Sequence, residues 1–170
     1  MTATDTNKPR TAARRRAAAA ALAVAAAATD LAAKAWANTA LPDAPVHLGP
    51  IDLRLAFNPG VAFSFGDTLP AWAVIAFTGL ITAAIALFAW RTAPTSKAAG
   101  AALAVILGGA AANLADRAGD GVVTDYLHTG WWPTFNLADV FIVCGGLAVV
   151  ALSWRRTAQE HGDTDPPAAA

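Results

Sequence analysis

Charge is scarce in this chain. Only 14% of its 170 residues are Asp, Glu, Lys or Arg, and twelve basic residues balance twelve acidic ones. A net charge of zero offers nothing to draw in a nucleic acid, and no nucleic-acid partner is expected. Cysteine is scarcer still. Cys144 stands alone, which excludes an intramolecular disulfide and a cysteine-based zinc site. Lying in an apolar run, it reads as a space-filling core residue. The three histidines, His47, His128 and His161, share no metal-ligand spacing and read as solvated, so no metal is expected. HExxH, GxSxG and glycine-rich phosphate loops are missing too, and no cofactor is called for.

What fills the chain instead is hydrocarbon. Hydrophobic residues make up 56% of it, which would leave a soluble domain of this length with much apolar surface in water. A helix crossing the roughly 30 Å hydrocarbon layer needs about 20 mostly apolar residues. Four stretches qualify, at 17–36, 70–90, 98–116 and 137–154. They are rich in alanine, so each is only weakly hydrophobic but leaves room for close helix packing.

The basic residues fall between the spans in a pattern. Lys8, Arg10, Arg14, Arg15 and Arg16 precede the first, Arg91 and Lys97 lie between the second and third, and Arg155 and Arg156 follow the fourth. By the positive-inside rule this side is cytoplasmic and both termini lie there. Lys34, Arg54 and Arg117 remain for the outer side. Trp36, Trp72, Trp131 and Trp132 fall near the outer boundary, Trp90 and Trp154 near the inner one, as interfacial belts would. The expected organisation is a cytoplasmic tail (1–16), a four-helix membrane domain (17–156) and a second cytoplasmic tail (157–170).

The first span has a competing reading. Three arginines, an alanine-rich core and "AWA" at 35–37 also suit a cleavable secretory signal. Against that, Asp30 and Lys34 interrupt the region, and removal would leave one terminus on the wrong side of the charge pattern. The segment is read as a span. The two outer loops are then about 37–69 and 117–136. The first alternates polar and apolar in "IDLRLAF" and carries the "NPG" turn signal, so a small sheet or hairpin on the membrane surface is expected there.

Polar residues gather in one layer. Asp30 and Lys34 lie at i and i+4 near the outer end of span one, Asn113, Asp116 and Arg117 at that of span three, and Asn136 and Asp139 open span four. Asn58 and Asp125 sit in the outer loops. Several have plain structural readings. Asp30 and Lys34 form an intrahelical pair with the lysine snorkelling outward, Asp116 pairs with Arg117 at a helix end, and Asn58 shapes a turn. Asp139 and Asp125 are different. Asp139 has no cation within a helical turn, and an ionised aspartate at mid-bilayer costs about 2.5–3.5 kcal/mol. Two unpaired carboxylates near a low-dielectric boundary invite a shared proton. The same aspartates would also suit a relay in a small proton-coupled transporter, which predicts polar groups at successive depths or a repeat between halves. The sequence shows one layer and no repeat. A purely structural membrane subunit leaves the aspartates unexplained.

"DLAAK" (30–34), "NPGVAFSFG" (58–66), "GGAAANLADR" (108–117), "GVVTDY" (121–126) and "FNLAD" (135–139) together resemble the lipoprotein signal peptidase (signal peptidase II) family, in order and spacing. The resemblance implies an all-α membrane protein of four transmembrane helices with a small extracytoplasmic β-type subdomain in the first outer loop. It implies a bacterial aspartyl endopeptidase of the cytoplasmic membrane, active at the outer face. Its substrates would be diacylglyceryl-modified prolipoproteins, cut just before the lipidated cysteine, and it would work as a monomer among membrane phospholipid. Carried over residue by residue, Asp125 and Asp139 are the catalytic pair. Asn58, Gly60, Asn113, Arg117 and Asn136 are implied to contact substrate or shape the site, with Asp116, Asp30 and Lys34 in support. Tyr126 departs from a more usual phenylalanine and Ala112 from a frequent glycine.

Overall fold

The computed structural model describes residues 7–41, 45–59 and 70–162. Along the chain run α1 (Asn7–Ala40), β1 (Val46–His47), β2 (Asp52–Asn58), α2 (Ala71–Thr92), α3 (Lys97–Asp120), β3 (Val123–His128) and α4 (Leu137–Gly162). The four helices are each long and apolar enough to cross a membrane, as expected. They outrun the expected spans. α1 starts at Asn7 and α4 continues to Gly162, so part of each expected tail is helical.

α3 lies at the centre and packs on α1, α2 and α4. Its small residues make this possible. A methyl group on Gly108 would sit 2.5 Å from the Ala23 carbonyl of α1, and one on Gly109 would sit 2.5 Å from the Ala138 carbonyl of α4. Adjacent glycines thus let two neighbours approach one helix on different sides, the packing mode of bilayer helices, where burial of apolar surface gives no drive to associate. The outer surfaces stay apolar. Trp36, Trp72, Trp90, Trp131, Trp132 and Trp154 are all exposed, in keeping with interfacial positions. Cys144 is also exposed, which corrects the core reading. It lines a groove between α3 and α4 together with Ala101, Ala102 and Val105.

The expected sheet exists but is not confined to the first loop. β1, β2 and β3 form an antiparallel sheet in that order, so the second outer loop supplies its third strand. β2 pairs with β3 with Ala56 opposite Asp125 and a bulge between Leu53 and Ala56. β3 is held on its other side by Phe135, whose N–H donates to the Leu127 carbonyl at 2.9 Å and whose carbonyl accepts from Tyr126 and Leu127. This clamp fixes the entry to α4. The sheet rests on α1 through a small core of Ala37, Leu41 and Tyr126. Ala37 closes the "AWA" stretch and is fully buried, so that stretch is built into the fold as helix.

Candidate active site

The first turn of a helix leaves its N–H groups without intrahelical partners, and those of α4 are all met by side chains that matter. Asn136 caps the helix. Its Oδ1 accepts from the Asp139 N–H at 3.0 Å, while Asp139 Oδ2 accepts from the Asn136 N–H at 3.2 Å. This is a reciprocal capping box, with asparagine and aspartate in the two roles. Leu137 N–H donates to the Tyr126 hydroxyl at 3.3 Å, and Ala138 N–H to Asp30 Oδ1 at 2.7 Å. Asp30 therefore reaches from α1 to cap α4, a role its sequence neighbours do not reveal.

Asn136 also joins the two carboxylates. Its Nδ2 donates to Asp125 Oδ1 at 2.7 Å, while its backbone N–H holds Asp139. Asn58, from the end of β2, gives Asp125 a second side-chain hydrogen bond. Asn113 Nδ2 donates to Asp139 Oδ1 at 2.9 Å. The Asn113 amide has only one possible orientation, because its Oδ1 accepts from Lys34 Nζ at 2.6 Å and an ammonium can only donate.

Lys34 is the hub of this layer. It is 2% exposed and pairs with Asp30 at 2.9 Å and with Asp116 at 3.2 Å. The expected pair with Asp30 is present, but the expected snorkelling is not. Two carboxylates and an amide compensate the ammonium inside the bundle, where an unpaired charge would be costly. Asp116 likewise looks inward rather than serving only its neighbour Arg117. Its Oδ2 takes Lys34 and accepts the Thr124 N–H at 2.8 Å, which pins β3 beside α3. Arg117, buried in the last turn of α3, feels the charges of Asp125, Asp116 and Asp139. Gly121 ends that helix in the left-handed region at φ 88°, turning the chain directly into β3.

Asp125 is buried, and this burial together with the negative charge of Asp139 pushes its carboxyl up to about 7, against the opposing pull of Asn136, Asn58 and Lys34. Nine of the ten residues marked from the sequence thus meet in one layer. Gly60 lies outside the described residues. Sequence reading missed Thr124 and Tyr126, both buried on β3 on either side of Asp125. No alternation marks them, because four consecutive residues of β3, Val123 to Tyr126, are buried, and the strand shows itself only through its distant partner β2. Beside Asp139 opens a largely apolar cleft of about 400 Å³, walled by Trp131, Trp132, Phe135, Val140 and Val143. His47 is exposed and approaches Asp52 at 3.1 Å, away from this layer.

Four helices of spanning length, with an acid pair at one end of the bundle, define a multi-pass membrane protein. The family model described as signal peptidase (SPase) II matches residues 22–155, and the chain belongs to that family of peptidases. It is similar to the lipoprotein signal peptidase of Rhodococcus jostii, with 35% identity over 74% of this chain and 67% of the relative. It is 36% identical to the lipoprotein signal peptidase of Syntrophomonas wolfei over 72% of this chain and 83% of that one. The fold is shared with a solved bacterial membrane enzyme at a TM-score of 0.71 and 19% identity, covering 91% of this chain and 95% of the other. A second such structure gives 0.65 at 21% identity, over 80% and 92%.

Proposed function

We propose that this chain is an aspartyl endopeptidase that removes signal peptides from prolipoproteins, cutting before a diacylglyceryl-modified cysteine, with Asp125 and Asp139 as the catalytic pair. One observation carries the reading: Asn136 ties two buried or half-buried carboxylates together within reach of each other's charge. Such a pair holds one proton between two groups, because close like charges cannot both ionise cheaply. The negative charge is better placed on Asp139, which has backbone and amide donors and the positive end of the α4 dipole. The proton then resides on Asp125, whose raised carboxyl keeps it near neutral pH.

In this arrangement Asp139 takes a proton from the attacking water. Asp125 donates to the scissile carbonyl oxygen as the tetrahedral intermediate forms; as the C–N bond breaks, the proton gained by Asp139 passes to the departing nitrogen and a hydroxyl of the intermediate returns a proton to Asp125. No acyl-enzyme forms on the chain. Arg117 contributes positive charge close to the pair, suited to a developing oxyanion or a substrate carbonyl. The apolar cleft beside Asp139 suits hydrocarbon, either the end of a signal helix or the chains on the lipidated cysteine. A proton relay would need polar groups through the whole bundle. Among the described residues the polar cluster keeps to one end.

The test is lipid dependence. A prolipoprotein carrying the diacylglyceryl thioether should be cleaved at least tenfold faster than the same chain with an unmodified cysteine. Equal rates would remove lipoprotein maturation as the specific function.

A further inference from the structure

At the end of the bundle away from the carboxylates, α1 is fastened to the turn between α2 and α3. Arg15 Nη1 donates to the Pro94 carbonyl at 2.7 Å and Arg16 Nε to the Trp90 carbonyl at 3.3 Å. The Arg16 guanidinium also stacks 4.7 Å above the Trp90 ring, a cation–π contact. Beside this clasp, between α1 and the start of α3, lies a cleft of about 430 Å³. Arg14, Arg15 and Lys97 line it, and Ala18, Leu22 and Ala101 give it an apolar wall.

Among the described residues the cleft has positive charge and no negative charge to match it. The described acidic side chains, Asp30, Asp52, Asp116, Asp120, Asp125 and Asp139, all belong to the opposite end of the bundle or to the strands and turns around it. Arg15 Nε is shielded from solvent and has no hydrogen-bond partner among the described residues, although such a donor normally finds one. Lys97 opens α3, so the positive end of that helix dipole adds to the field.

We propose that this cleft binds an anionic diacyl phospholipid, its phosphate held by Arg14, Arg15 and Lys97 and an acyl chain laid along Ala18, Leu22 and Ala101. Arginine matches phosphate with a planar fork of donors, and basic pockets between membrane helices are suited to anionic headgroups. The apolar wall selects a lipid over free phosphate, and three cations select a net-negative headgroup over a zwitterionic one. The site does not depend on the peptidase reading.

Native mass spectrometry of the full chain in detergent tests it, with phosphatidylglycerol and phosphatidylethanolamine of the same acyl length. One phosphatidylglycerol should be retained per chain, at least tenfold more tightly than phosphatidylethanolamine, and millimolar inorganic phosphate should not displace it. The triple variant Arg14→Ala/Arg15→Ala/Lys97→Ala should lose this preference. A control removing as much charge from the same end, Arg10→Ala/Arg91→Ala/Arg155→Ala, should keep it. Should the first triple variant fail to fold, Arg15→Lys keeps the charge without the fork and should weaken binding several-fold. Equal retention of the two lipids, displacement by free phosphate, equal losses in the two triple variants, or unchanged binding in Arg15→Lys would each overturn the proposal.

Discussion

Burial and the charge of Asp139 raise the Asp125 carboxyl to about 7, well above the ordinary aspartate value of about 3.9. The folded chain therefore holds this proton more tightly than the unfolded one. The stability that goes with protonation is fully present below about pH 4 and is lost as pH rises through about 7. Asparagine cannot ionise and escapes the loss. Asp125→Asn should thus gain thermal stability relative to the parent as pH goes from 4 to 8, read as a widening difference in Tm in detergent. A difference that stays flat over this range would contradict the burial and coupling described. The same proton sets the alkaline limb of catalysis, and kcat/KM for the parent should fall as pH passes about 7. Other residues show where sequence reading stops. The i,i+4 pairing of Asp30 with Lys34 was legible because both partners lie on one helix. That Lys34 turns inward to Asn113 and Asp116 was not, since those partners lie on α3 and only packing brings them near.

The elements follow from composition more directly than the contacts do. Apolar runs of spanning length gave all four helices, because backbone groups in hydrocarbon must be satisfied within the segment. β2 was legible from its alternation and lies within the expected stretch of the first loop. β3 was not, because four of its six residues are buried in a row and leave no clean alternation, and their partner lies more than sixty positions earlier. The precise seat of α4 depends on one small residue. A methyl on Gly109 would meet the Ala138 carbonyl at 2.5 Å, in the very turn that presents Asp139. Overpacking of this kind costs about 1–3 kcal/mol. Gly109→Ala should lower Tm and reduce cleavage more than its stability loss explains, since it displaces the capping box. Gly146→Ala, where an added methyl meets nothing within 4 Å, should leave both unchanged. Equal behaviour of the two variants would contradict the close approach of α3 and α4.

For the whole molecule, the basic residues gather at one end and the acid layer at the other, which orients the bundle if the positive-inside rule holds. In a Cys144→Ser background, single cysteines at Thr39 and Asp67 should react with an impermeant thiol reagent in intact cells, and those at Ser96 and Gln159 should not. Protection of the first two would reverse the orientation. Set at the outer face, the acid pair would stand where a signal helix leaves the bilayer and water can reach its end. General acid–base catalysis contributes roughly 10²–10⁴-fold per group, so the shared proton between Asp125 and Asp139 is the centre of the account. The most direct measurement is the cleavage rate of a diacylglyceryl-modified prolipoprotein by purified Asp139→Asn protein whose fold is verified by its Tm. Asparagine preserves the shape of the capping box but cannot take a proton from water, so the rate should drop by at least 10²-fold. Cleavage at near the parental rate would contradict the catalytic pair.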